Sequence, residues 1–89
     1  MFDLIITEEV NNLLKKVRKA LKEKGYKKSI SRTNRHIGTM HYNLITEYYI
    51  KGNMVFEFER DLNENIIRTF LHYNGHIEEF NLADVLNVA

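Results

Sequence analysis

Four histidines, His36, His41, His72 and His76, are the side chains of this sequence best suited to move a proton or hold a metal ion near neutral pH. His72 and His76 have the i, i+4 spacing of a helical metal pair, but Asn74-Gly75 between them is a type I′ hairpin signal, which sends the two rings to opposite faces of a sheet. His36 and His41 stand five apart around Gly38, and no Asp or Glu lies within that segment to complete a site. Ser29 and Ser31 sit in a lysine-rich segment without the nucleophile-elbow motif that activates a serine. Cysteine is absent, which removes disulfides, thiolate nucleophiles and cysteine zinc sites. The four glycines are isolated from one another, so no glycine-rich phosphate loop exists. These residues imply no metal and no cofactor, and they favour a protein that binds rather than catalyses.

Charge is more informative. Residues 1–40 hold ten Lys/Arg against four Asp/Glu, and residues 41–89 hold three against eight, so the halves carry +6 and −5 beneath a net charge of +1. A basic surface and an acidic one each attract a partner of opposite sign. A chain of 89 residues closes one core, and residues 1–89 are read as a single domain. No stretch approaches the roughly 18 apolar residues of a membrane span. The apolar start Phe2 to Ile6 is too short for a signal peptide, so a cytoplasmic protein with no membrane contact is the expectation. Abundant Asn, Ile and Lys point to AT-rich coding, as in bacteria, their phages and mobile elements.

The elements that position these groups follow from period and punctuation. Thr7 before Glu8 and Glu9 is an N-cap signal, Lys22, Lys24 and Gly25 are a basic last turn and its stop, and the helix between them spans residues 8–24. Val10, Leu13, Leu14, Val17, Ala20 and Leu21 make its apolar stripe. From Lys27 the period becomes two, with strands expected at 27–33, 40–50, 54–61, 66–73 and 76–81. The fold class is α+β: one N-terminal amphipathic helix packed on a four- or five-stranded antiparallel meander. Asn81 with Leu82, Val85 and Leu86 is compatible with a short C-terminal helix, the alternative being a disordered end.

Register decides which residues are buried, since a slip of one exchanges the faces. A three-residue loop Lys51-Gly52-Asn53 opposes Tyr48 to Phe56 and Ile50 to Met54, whereas a two-residue loop opposes Glu47 to Phe58. The former is the expectation. It gathers Tyr42, Leu44, Tyr48, Ile50, Met54, Phe56, Phe58, Ile67, Leu71 and Tyr73 beneath the helix, and leaves Glu47, Tyr49, Val55, Glu57, Phe70, His72, Ile77 and Glu79 on the outer face. Exposed apolar groups with a rim of carboxylates are the marks of a protein interface, whether with another protein or in a homodimer. Glu47 opposite Glu57 would be a like-charge pair, favouring a basic partner.

A second surface is the basic ridge of Lys15, Arg18, Lys19 and Lys22, continued by Lys27, Lys28, Arg32 and Arg35, which would neutralise nucleic-acid phosphates with a steep salt dependence. Tyr26 is the sole ring between Phe2 and Tyr42 apart from His36 and His41, so a stacking platform is lacking. The order of basic helix, Gly25-Tyr26, Arg32, Arg35, Gly38 and His41, then strands and an apolar tail, resembles the layout of HicA-type mRNA interferase toxins over residues 8–45. Those carry a catalytic histidine just after a glycine-serine pair; here Gly38-Thr39-Met40-His41 has one residue more and no serine. The resemblance implies His41 as general acid/base on a ribose 2′-hydroxyl, with Arg32 and Arg35 steadying the phosphate. The leading expectation is a small regulator or inhibitor working through protein contact; nucleic-acid binding comes second and RNA cleavage third.

Overall fold

A computed structural model describes residues 3–89, the side chain of Arg35 excepted. Helix α1 (Glu8–Glu23) starts where Thr7 accepts a hydrogen bond from the Val10 amide at 3.2 Å. It stops in a Schellman turn: Gly25 takes φ +91° and donates to the Lys22 carbonyl, while the Tyr26 amide donates to that of Leu21. That turn drops Tyr26 into the core, against Phe56 with ring centroids 5.7 Å apart.

Strands β2 (Lys27–Ile37), β3 (Met40–Lys51), β4 (Met54–Asp61), β5 (Ile66–Tyr73) and β6 (His76–Phe80) form the expected five-stranded antiparallel meander. A sixth strand, β1 (Leu4–Ile5), pairs with Ile66 and Ile67 and shares one edge of β5 with β6. Two residues are too few to show a period, so β1 was not expected from the pattern. A 3-10 turn (Leu82–Asp84), capped by Asn81, runs into the short helix α2 (Val85–Val88) and buries Leu82 and Val85 against the core.

Hairpin β2–β3 is longer than expected. β4 ends opposite Leu44, so residues 34–43 project beyond it as a two-stranded ribbon closed by Gly38-Thr39. The β4–β5 turn props this ribbon: the Leu62 amide donates to the Asn43 carbonyl at 3.0 Å, and the Asn63 side-chain amide donates to the carbonyl of His41.

The register of β4, β5 and β6 is the expected one, including Tyr73 opposite His76 across Asn74-Gly75, with φ +49° and +79°. The register of β3 is not. Lys51 pairs with Met54, Tyr49 with Phe56 and Glu47 with Phe58, so the loop has two residues, Gly52 and Asn53. Gly52 alone takes positive φ, at +59°, the signature of a type II′ turn, whose twist matches the flanking strands. Consequently Tyr48, Ile50, Leu44 and Tyr42 lie on the outer face, not beneath the helix, and Glu47 and Tyr49 lie beneath it, not outside. β3 carries apolar residues at both parities, Leu44, Tyr48 and Ile50 against Ile45 and Tyr49, so the turn rather than the hydrophobic pattern decides.

The core is one cluster between α1 and the sheet: Leu14, Val17 and Leu21 from the helix and Tyr26, Tyr49, Phe56, Phe58, Ile67 and Leu71 from beneath it, with Leu82 and Val85 beside them. Among the described residues all helical segments contribute to that side, and no helix is long and apolar enough to cross a membrane.

Candidate interaction surfaces

The helix side of the sheet is covered over β4 and β5 but not over β2. Lys28, Ile30 and Arg32 share the helix-side rows of Tyr49, Glu47 and Ile45, and all three are exposed. Between this bare strip and α1 lies an open cleft of about 480 Å³, lined by Arg18, Lys19, Lys22, Tyr26, Lys28 and Tyr49. The sequence-based ridge is therefore gathered in part. Arg18, Lys19, Lys22 and Lys28 converge, whereas Lys27 pairs with Ile50 on the opposite face, which removes it from this surface. Arg32 extends the strip, and the side chain of Arg35 lies outside the described residues.

Glu47, the partner of the cleft residue Arg18, is buried, 6 % exposed, and the Arg18 guanidinium donates to both of its carboxylate oxygens at 2.9 and 2.6 Å. A bidentate pair satisfies a carboxylate that the strand register would otherwise bury unpaired. The Tyr49 hydroxyl donates weakly to the same carboxylate at 3.5 Å, and Lys28 Nζ stands 5.9 Å over the Tyr49 ring. Burial first, then the Glu47 charge, pushes the Tyr49 hydroxyl up to about 12, with Arg18 opposing. The unfolded chain releases that proton near pH ~10, while the folded chain keeps it. Stability owed to this group is therefore full below about pH 10 and falls by about 1.4 kcal/mol per pH unit until the folded group ionises. Alkaline titration followed by tyrosinate absorbance should show one of the five tyrosines ionising well after its fellows, and Tyr49→Phe should remove that last step.

The outer face has a different character. One row across all five meander strands reads Lys27, Ile50, Val55, His72 and Ile77, and the next reads Ser29, Tyr48, Glu57, Phe70 and Glu79. Ile50 and Ile77 are 40 % and 66 % exposed. At the far end Ile5, Ile37 and Met40 are also exposed on this face, beside Leu44 and Ile66. Between the two apolar ends runs a charged belt. His72 Nε2 lies 2.7 Å from Glu57 Oε1, and Arg68 bridges Glu59 at 3.2 Å and Asp3 at 3.3 Å. Desolvation, then Glu57 and Glu59, raises the Tyr48 hydroxyl above its ordinary value.

Of the expected interface residues, Val55, Glu57, Phe70, His72, Ile77 and Glu79 share this face. Glu47 and Tyr49 do not, because the two-residue turn rotates them under α1, and the like-charge row of Glu47 with Glu57 does not form. Tyr48 and Ile50 take their places, signalled in sequence by Gly52-Asn53. His72 and His76 fall on opposite faces as the hairpin requires. His36 and His41 meet across the ribbon with ring nitrogens 2.9 Å apart, and the other nitrogen of His41 lies 3.0 Å from the Asn43 side-chain oxygen. No cluster of three or more His, Asp or Glu with metal-site geometry occurs among the described residues.

No protein family matches the chain, and no curated protein or solved structure matches it.

Proposed function

We propose that this chain is a non-catalytic binding protein, a small regulator or inhibitor, that captures another protein on the outer face of its sheet. The observation that carries this reading is that, among the described residues, one sheet face has no second layer while displaying Ile5, Ile37, Met40, Ile50 and Ile77 exposed. Exposed apolar groups at both ends of one face, with a charged belt between them, are the mark of an interface. The five meander strands make the face about 19 Å across at roughly 4.8 Å per strand, the width of a standard protein contact patch when extended along the strands.

The partner's chemistry follows from the belt. Carboxylates of Glu57, Glu59 and Glu79 outnumber Arg68, the arginine that pairs with Glu59 there, and Glu57 meets the His72 ring, so the complementary surface is basic in the middle and apolar at both ends. A second copy of the chain would set one acidic belt against another, which disfavours a two-fold homodimer through this face.

The test is a paired comparison. Ile50→Glu combined with Ile77→Glu alters two exposed side chains outside the core cluster, so circular dichroism and melting should match the parent. Proteins retained by the parent from cells that express it should be lost with the double variant. Equal retention, or a parent that sediments as a dimer disrupted by the same substitutions, would overturn capture of a different protein by this face.

A further inference from the structure

We infer that the cleft between α1 and β2 is a second binding site, on the side of the sheet away from the proposed protein interface, and that its ligand is the phosphodiester backbone of a nucleic acid. The inference does not rest on the outer-face reading, since none of the cleft side chains belongs to that face.

Three observations carry it. The first is charge that is free to act. Four cations line the cleft, and only Arg18 is engaged by a carboxylate there; Lys19, Lys22 and Lys28 make no salt bridge among the described residues. Arg18, held by two hydrogen bonds to Glu47, is a fixed donor whose remaining N–H groups stay available. Lys51, by contrast, is occupied, donating to the Lys24 carbonyl at 2.7 Å and lying over the Tyr26 ring.

The second is shape. The cleft is open, lined by the flank of α1, by Lys28 of β2 and by Tyr26 and Tyr49, and the β2 strip continues past it through Ile30 to Arg32. Lys28 and Arg32, four residues apart on one strand face, are about 13 Å from each other along the strand. A trough with charge spaced along it suits a chain of phosphates better than a single small anion, which would call for convergent donors in an enclosed pocket.

The third concerns what the site lacks. Tyr26 and Tyr49 are buried beneath the lysines, so their rings do not offer a stacking surface. Without exposed aromatic platforms or a helix free to enter a groove, the contact is with the backbone and independent of base sequence.

Fluorescence anisotropy with labelled single-stranded RNA and with duplex DNA tests this. Three to four phosphate contacts predict that raising salt from about 50 to 200 mM weakens binding by about 20- to 150-fold. Lys19→Glu with Lys28→Glu should weaken binding at low salt by at least about tenfold and reduce the log–log salt slope by about two. The charge-matched control is Lys16→Glu with Lys27→Glu, since Lys16 does not line the cleft and Lys27 faces the other side of the sheet. Retained binding in that control supports the site, and preference for single strand or duplex assigns the form of backbone it takes. Equal weakening in both variants would reduce the effect to diffuse charge, and no binding of either nucleic acid at the lower salt would remove the site altogether; both results overturn the inference.

Discussion

Tyr49→Ala is expected to lower folding stability by about 3–5 kcal/mol, whereas Tyr48→Ala should cost about 1 kcal/mol or less. The two residues are neighbours of the same type, so composition and helix or strand propensity cancel between them. What differs is the face. Tyr49 is 3 % exposed, pairs with Phe56 across β4, and sets its ring 5.4 Å from that of Phe58. Truncation there removes aromatic packing and opens a cavity that the surrounding sheet can only partly close. Tyr48 lies on the uncovered face beside Glu57, where truncation removes half-exposed surface. In a domain of this size a loss of several kcal/mol consumes much of the total stability and should lower the melting temperature by well over ~10 °C. Thermal melts of the two variants decide the register directly. A three-residue loop at Lys51-Gly52-Asn53 would reverse their order, and Tyr49→Phe, which keeps the ring, should fall close to the parent.

Most of the architecture can be read from the chain because its local signals agree. The cap at Thr7, the stop at Gly25, the stripe of Leu14, Val17 and Leu21, and the hairpin at Asn74-Gly75 all point the same way, and these elements stand where expected. β3 is where the signals part. Both of its faces carry apolar residues, so counting them favours the parity that buries Leu44, Tyr48 and Ile50 and exposes Glu47. The fold takes the other parity, because a glycine at the first loop position makes a two-residue turn and because Arg18, one turn after Leu14 of the apolar stripe of α1, reaches Glu47. A compensating partner 29 residues away is a tertiary fact that no local window contains. The outer-face surface was legible from β4, β5 and β6 alone, where the register was unambiguous. The cleft was legible only as a list of basic residues. Its members separate once β2 is placed, with Lys28 and Arg32 turning toward the helix and Lys27 away from it.

Arg18→Met should destabilise the fold by about 2–4 kcal/mol, and Glu47→Gln in the same chain should restore most of the loss. Breaking a fully buried pair by removing the cation costs roughly 3–5 kcal/mol, because a desolvated carboxylate is left without its donors. The expected figure here is smaller because the Arg18 side chain keeps 27 % of its surface in solvent, from which water can reach part of the site. The buried partner decides the asymmetry of the cycle. Glu47 sits under α1 between Tyr49 and the helix-side residues of β2, so its charge is the term that must be met. Replacing it by the neutral, nearly isosteric amide removes that demand whether or not Arg18 is present. Glu47→Gln alone should thus cost less than Arg18→Met alone, since Arg18 released from its partner can turn outward to water while Glu47 cannot. Denaturant unfolding of the parent, both single variants and the double variant gives the coupling energy. A coupling below about 0.5 kcal/mol would mean that the pair is a surface contact, and with it would go the account of why β3 tolerates a carboxylate on its buried face.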